Sequence, residues 1–118
     1  MKRQVMCQLE EIPDGTMKAV ELESRAIVLI RKGKEVFALR DTCPHQGARL
    51  SNGVLTSRRL SSVAGDYRAE KAKQIVRCPW HNWEFDAASG RCLHDPQRLR
   101  VAVYRTEIEN GQVVIVTS

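Results

Sequence analysis

Short apolar runs separated by turn residues recur along the whole chain. The longest run, Ala26–Ile30, is continuous and rich in β-branched residues, and a second run, Val36–Leu39, follows it after a Lys-Gly-Lys connection. Apolar runs of about four to eight residues between turn signals are typical of strands buried on both faces. The pattern therefore predicts a buried antiparallel hairpin over residues 26–39.

The C-terminal third carries a second hairpin signal. Leu99, Val101 and Val103 alternate with polar or small residues and share one predicted face, and an apolar run, Val113–Val116, ends the segment. Asn110-Gly111 lies between the two runs, and Asn-Gly is the strongest short-range signal for a two-residue hairpin turn because both residues accept positive φ. We expect two antiparallel strands joined at this turn.

Shorter strands are expected elsewhere, and no segment has a convincing helical period. A Pro-Asp-Gly turn at residues 13–15 separates two short strands, because proline presets φ and glycine accepts positive φ. Residues 74–77, 83–85 and 91–93 are also predicted strands. Thr56–Lys73 is polar and charged, which predicts an extended loop or insertion at the surface. The fold class is therefore expected to be all-β.

The 118 residues have the length of one domain, and residues 1–118 are expected to fold as a single unit with a modest core. The sequence has no N-terminal segment of the secretory type and no apolar run of about 18 residues. A cytoplasmic protein that does not enter a membrane is therefore expected. The net charge of +5 predicts a partner with an acidic surface, and no motif supports a nucleic-acid partner.

The candidate chemistry lies in two segments that each pair one cysteine with one histidine. Cys43 and His45 have Cys-x-His spacing, Cys78 and His81 have Cys-x-x-His spacing, and a proline follows each cysteine. In a protein that is not exported, this pattern indicates metal binding rather than disulfides. Zinc would take all four ligands, although its usual sites pair Cys with Cys and His with His. The mixed pattern favours a [2Fe–2S] cluster with two thiolates on one iron and two imidazoles on the other.

These segments closely resemble the two cluster-binding loops of Rieske-type ferredoxins and Rieske domains. The residues that carry the resemblance are Cys43-Pro44-His45-Gln46-Gly47-Ala48 and Cys78-Pro79-Trp80-His81-Asn82-Trp83-Glu84-Phe85-Asp86, with Gly90 and Pro96 beyond them. The predicted turns and hairpins also fit that fold, so the resemblance covers most of the chain. It implies an antiparallel β-sandwich base with a small cluster-binding subdomain at about residues 41–95, including a long insertion at about 56–73.

The resemblance also implies a role for each ligand. By position, Cys43 and Cys78 bind the inner iron of one [2Fe–2S] cluster, and His45 and His81 bind the outer iron at a tip that faces solvent. Two ferric ions, two sulfides and two thiolates sum to zero charge, so an added electron meets less repulsion than in a four-thiolate cluster. The expected potential lies in the Rieske range of about −150 to +300 mV.

Four positions predict a potential at the low end of that range. Rieske proteins of respiratory and photosynthetic complexes have a disulfide over the cluster, where this chain has Ala48 and Trp80. Those proteins also have a serine and a tyrosine that donate hydrogen bonds to sulfur, where this chain has Trp83 and Phe85. Fewer donors disfavour the reduced, more negative cluster.

Asn82 replaces the usual glycine after the second histidine, and asparagine tolerates positive φ.

The expected function is one-electron transfer rather than catalysis by the chain alone. Ring-hydroxylating oxygenases that contain a Rieske domain also hold a mononuclear iron on two histidines and a carboxylate. Once the cluster takes two of the three histidines, only His94 remains, and we expect it to be a surface residue. The resemblance therefore implies a ferredoxin that passes electrons from a reductase to a terminal oxygenase, or the small subunit of a reductase such as nitrite reductase.

The sequence also leaves two alternative functions open and predicts the roles of four other side chains. A zinc-stabilised binding module and an iron–sulfur redox sensor stay open as alternative functions. Trp80 flanks the second histidine and is a candidate for docking or for shielding the cluster, whereas Trp83 is expected to pack in the core. Cys7 and Cys92 lie outside the Cys/His pattern and are expected to be small buried hydrophobic residues.

Overall fold

The computed structural model describes residues 1–44, 47–58, 73–80 and 82–117. These residues form strands β1 Lys2–Gln8, β2 Met17–Leu22, β3 Arg25–Lys32, β4 Glu35–Arg40, β5 Val54–Arg58, β6 Lys73–Arg77, β7 Glu84–Asp86, β8 Val103–Glu109 and β9 Gln112–Thr117. Within the same ranges, helical structure is limited to two 3₁₀ turns, Leu9–Glu11 and Leu50–Asn52. The all-β prediction is confirmed. No helix in the described ranges has the length and apolar character needed to cross a membrane.

The base is a six-stranded antiparallel sheet in the order β1-β9-β8-β4-β3-β2. Its core joins residues from both edges of the sheet, since Cys7 on β1 and Leu22 on β2 belong to the same buried cluster as Ile27 and Leu29 on β3. Opposite edges can share one core only if the sheet curls over itself. This curled sheet is the predicted sandwich-like base, and its Asn110-Gly111 turn has the expected positive φ at both residues.

A second core lies between the base and a smaller sheet. Successive residues of β3 point to opposite sides, so Ile27 and Leu29 enter the first core while Val28 and Ile30 enter the second. Val76 and Phe85 reach the second core from the smaller sheet. The continuous apolar run in β3 is therefore explained by burial on both of its faces.

The smaller sheet has the order β5-β6-β7 and supports both cysteine loops. The prediction of a loop over Thr56–Lys73 is wrong at its ends, because Thr56–Arg58 belongs to β5 and Lys73 begins β6. These polar residues pair in register, Thr56 with Ile75 and Arg58 with Lys73. An edge strand with one solvated face tolerates polar side chains, so polarity alone did not indicate a loop. Residues 59–72 of the predicted insertion lie outside the described residues.

Two further predictions need correction near the junction of the sheets. Val103 does not share a buried face with Leu99 and Val101, because Val103 is 42% exposed and Val101 is 3% exposed. The chain leaves the smaller sheet at Val101, whose N–H donates to Gly90, and enters the base at Val103. The predicted strand over 91–93 is reduced to two isolated bridges, Phe85 with Cys92 and Arg91 with Arg100.

Candidate metal centre

Cys43 and Cys78 meet at the second core although they lie on different loops. Both residues are buried in the same core cluster, and they lie close enough for the Cys43 side chain to raise the pKa of the Cys78 thiol. Cys43 follows β4 in the base, and Cys78 follows β6 in the smaller sheet. The structure therefore brings together two of the four predicted ligands. The other two, His45 and His81, lie outside the described residues.

The surroundings of Cys78 oppose a free thiolate. Burial raises the pKa of its thiol, the backbone N–H of Trp80 lowers that pKa by hydrogen-bonding to the sulfur, and the neighbouring Cys43 side chain raises it again. A thiolate is favoured in such a position when a bound cation supplies positive charge. The thiol pair is thus suited to a metal rather than to reaction as free nucleophiles.

The two loops close in the same way despite their different Cys-to-His spacings. The N–H of Cys43 donates to the carbonyl of Ala48 at 2.7 Å, and the N–H of Cys78 donates to the carbonyl of Trp83 at 2.7 Å, five residues on in each case. The fourth residue after each cysteine has positive φ, 74° at Gly47 and 57° at Asn82. The prediction that Asn82 can replace glycine is confirmed, and each cysteine starts a loop of equal length.

A buried carboxylate connects the two ends of the first loop. Asp41 is 1% exposed, and its Oδ1 accepts the backbone N–H of Ser51 at 2.7 Å while its Oδ2 accepts the Ser51 hydroxyl at 2.6 Å. Arg49 adds a cation 3.7 Å from Oδ2. Because Asp41 precedes Cys43 by two residues and Ser51 follows the loop, this contact holds the loop at both of its ends.

A second carboxylate lies at the stem of the other loop. Glu84 begins β7 directly after Trp83, and its side chain is only 11% exposed. Arg58 contacts it closely from β5, Arg77 lies 3.4 Å away on β6, and His94 lies 3.7 Å away. Glu84 therefore joins the three strands that carry the second loop.

A close backbone contact joins the return path of the first loop to the stem of the second. A Cβ added to Gly53 would lie 1.9 Å from the carbonyl oxygen of Arg77, the residue before Cys78. Gly53 has φ −90°, an angle that residues with a side chain also adopt. The position requires the absence of a side chain and not an unusual backbone angle.

Two tryptophans, Trp80 and Trp83, belong to the second loop, and His94 packs beside Trp83. Trp80 is 58% exposed, whereas Trp83 is partly buried and packs against the second core as predicted. The ring of His94 meets that of Trp83 edge-on at 6.2 Å, and its side chain is 60% exposed, so it is a surface residue as expected. Cys7 and Cys92 are buried free cysteines, which confirms their predicted packing role.

A protein-family model described as the Rieske [2Fe-2S] domain matches residues 2–105. The chain belongs to this family. The Rieske domain is also 30% identical over 107 residues to the ferredoxin component of the naphthalene 1,2-dioxygenase system of Pseudomonas aeruginosa, which covers 91% of this chain and 88% of that relative.

Solved structures of two kinds share the fold of this Rieske domain. A Sphingomonas yanoikuyae B1 ferredoxin superposes with a TM-score of 0.74 at 26% identity, covering 99% of this chain and 100% of that one. A putative NADH-dependent nitrite reductase small subunit from Mycobacterium tuberculosis gives a TM-score of 0.77 at 22% identity, covering 99% and 96%. The second similarity shows the fold alone.

As a Rieske domain, the chain carries one [2Fe–2S] cluster of the Rieske type, functions in one-electron transfer and works with redox protein partners. The described residues fit this group. One iron of such a cluster takes two thiolates, and here two buried thiols converge from loops of equal length. Their burial also provides the shielded, low-dielectric surroundings that tune a cluster's potential.

Sequence reasoning missed the residues that support the loops of the Rieske domain. Asp41, Gly53 and Glu84 each act through contacts with distant parts of the chain. The available signals were weak: an acidic residue two positions before Cys43, a glycine before β5, and an acidic residue inside a strand next to a cluster loop. None of these signals identifies its partner.

Proposed function

We propose that Cys43 and Cys78 bind the inner iron of the cluster and that His45 and His81 bind the outer iron. The observation that carries this assignment is the convergence of the two buried thiols from matched loops. Each histidine follows its cysteine at the family's spacing, Cys-x-His or Cys-x-x-His. Residues 41–95 then form the cluster-binding part of one domain that spans residues 1–118.

Within a redox system, the chain acts as a ferredoxin that accepts electrons from a reductase and passes them to a terminal oxygenase. The similarity to a dioxygenase ferredoxin over 88% of that relative's length supports this role. His94 is the histidine that is left once His45 and His81 bind the cluster, and its side chain contacts Glu84 at the surface. The similarity to nitrite reductase small subunits concerns the fold, so the ferredoxin role is preferred to that of a reductase subunit.

The docking partner presents an acidic surface, and the complex forms in the cytoplasm. The net charge of +5 supports an acidic partner, because opposite charge accelerates association and orients the encounter. Trp80 supports contact at the second loop, since a large, 58% exposed aromatic side chain is the kind of residue that anchors protein interfaces. When bound, the cluster takes up one electron and releases it again.

Spectroscopy of the protein purified without oxygen tests the cofactor and its ligands together. We expect two irons per chain and an EPR signal that appears only after reduction. Replacement of His45 or His81 by cysteine is expected to lower the midpoint potential by about 100 mV or more, because a thiolate adds negative charge at the outer iron.

The matched control is His94→Cys, which is expected to leave the potential close to that of the natural protein. A colourless protein containing one zinc would contradict the cluster, and an unchanged potential in an assembled His81→Cys variant would contradict the ligand assignment. Failure of any reductase to reduce the cluster rapidly would favour the alternative role of a redox sensor.

A further inference from the structure

An open cleft of about 570 Å³ lies where the smaller sheet meets the start of β8. Its walls carry three cationic side chains, Lys73, Arg91 and Arg100, and one carboxylate, Asp86. The other described lining residues are small or apolar, and none of them is aromatic. None of the described lining residues belongs to the two cysteine loops.

Arg91 and Arg100 are neighbours in the wall of this cleft. They form an isolated antiparallel bridge, and residues directly opposite in such a bridge place their side chains on the same face. Both are exposed, and neither has an ion pair with a carboxylate in the described part of the chain. Like charges directly opposite one another destabilise the pairing. The two arginines are therefore a concentration of uncompensated positive charge.

The one carboxylate in the cleft already has its own donors. Asp86 accepts the N–H of Ala88 at 3.1 Å and the hydroxyl of Ser89 at 3.0 Å, and the Lys73 ammonium lies 3.6 Å from its Oδ2. These contacts hold the carboxylate against the turn after β7. Asp86 consequently compensates Lys73 and leaves the arginine pair free to bind an external anion.

We propose that this cleft binds the carboxylates of an acidic segment on a redox partner. Guanidinium groups match carboxylates in shape and bind them through two parallel hydrogen bonds, so two adjacent arginines provide a site for one or two Asp or Glu side chains. The inference rests on the proposed function, because that function requires a protein partner with an acidic surface. It specifies a place where that surface makes contact, and Trp80 is not among the described residues that line it.

The shape and lining of the cleft favour a peptide segment over other anions. The cleft is open and includes apolar surface from Leu93, Pro96 and Val103, which the backbone and apolar side chains of a segment can cover. A single-stranded nucleic acid would use aromatic rings for stacking, and none of the described lining residues supplies one. An acidic protein segment satisfies both the charge and the apolar surface.

Binding of a hexaglutamate peptide to the oxidised holoprotein tests the proposal by calorimetry. We expect binding at low salt that weakens at about 150 mM salt, where the Debye length is about 8 Å. Replacement of both Arg91 and Arg100 by glutamine is expected to weaken binding by about fivefold or more. The matched control is the double replacement Arg25→Gln and Arg40→Gln, which removes the same charge from exposed positions on the base outside the cleft and is expected to change binding little.

Three results would overturn the proposal. The first is no peptide binding by the intact holoprotein, and the second is an equal loss of affinity in the control and in the variant at Arg91 and Arg100. The third is inorganic phosphate binding as tightly as the peptide, which indicates a site for small anions. The EPR signal of the same samples after reduction separates this test from the proposed function. A normal signal without peptide binding rejects only the cleft, whereas a missing signal in the natural protein rejects the cluster.

Discussion

Asp41 shows how one buried side chain supports a loop that it does not belong to. A carboxylate that is 1% exposed must be fully hydrogen-bonded, and both of its oxygens accept from Ser51 on the far side of the first loop. The bond therefore limits how far the two ends of the loop separate. Since Cys43 lies two residues away, the position of its sulfur depends on this contact.

The contribution of Asp41 can be measured by removing and then partly restoring the acceptor. Asp41→Ala leaves the Ser51 N–H without its partner and is expected to lower the free energy of unfolding by about 2 kcal/mol. It should also lower the iron content of the purified protein. Asp41→Asn keeps an acceptor oxygen for the Ser51 N–H and is expected to lose less unfolding free energy and less iron than Asp41→Ala.

Asp14→Ala is the matched control for this experiment, because Asp14 also accepts one backbone N–H at 2.7 Å, from Gly33 in the base. It is expected to leave the iron content unchanged. Equal iron content in the Asp41→Ala and Asp14→Ala proteins would show that Asp41 does not position the first loop.

Single residues differ in how far the sequence alone reveals their roles. The meeting of Cys43 and Cys78 at one site was predicted from spacing, and Asn82 was expected to take positive φ because of its own chemistry. Asp41 and Glu84 were missed because a hydrogen bond or ion pair between distant residues is not visible in a linear pattern. Local chemistry was therefore predictable, and the contacts that support it were not.

At the scale of single elements, the second loop depends on one backbone angle. Asn82 has φ 57° and lets the chain turn so that the Cys78 N–H reaches the Trp83 carbonyl. Glycine also adopts this angle easily, whereas a β-branched residue is strongly disfavoured there. The loop should therefore accept glycine at this position and resist valine.

Substitution at Asn82 tests this dependence. Asn82→Gly is expected to keep the cluster, and Asn82→Val is expected to destabilise the fold by about 1–2 kcal/mol and to reduce cluster content, as seen by visible absorbance. Asn110→Val in the β8–β9 turn, where φ is 51°, imposes the same strain outside the site. Its unfolding should be similarly affected while its absorbance per chain stays normal. Normal absorbance in Asn82→Val would be evidence against the predicted link.

Elements were predicted well where burial determined the pattern. The run in β3 was identified because both of its faces are buried, and the Asn110-Gly111 turn because its residues suit positive φ. The prediction failed at Thr56–Arg58 and at Val103. A strand at a sheet edge can be polar, and a chain that passes from one sheet to another changes the face it buries, so neither pattern reports its environment.

At the scale of the whole molecule, the metal centre is assembled from two separate supports. The first loop extends from the base at β4, and the second extends from the smaller sheet at β6. Gly53 lies where the return path of the first loop meets the carbonyl of Arg77. Because Val54 pairs with Arg77 in the smaller sheet, this contact fixes where the first loop returns to the sheet that carries the second loop, and it leaves no space for a side chain.

Gly53→Ala tests whether the close contact between Gly53 and the Arg77 carbonyl is needed. The added Cβ would overlap the Arg77 carbonyl, so the backbone must move, and we expect a loss of about 1–3 kcal/mol in unfolding free energy with reduced cluster content. Gly33→Ala provides the control, since Gly33 has φ 61° with open space around it and lies in the β3–β4 turn. It should lose stability through backbone strain and keep its cluster. Full cluster content in Gly53→Ala would show that the cluster does not depend on this contact.

The order of strands along the chain has a consequence for synthesis in the cell. The base is completed by β8 and β9, and β9 must pair with β1 across almost the whole length of the chain, which makes closure slow. Both cysteines leave the ribosome before these last two strands. During translation the thiols are therefore open to iron donors and to oxidants while the base, which will support the Cys43 loop, is still incomplete.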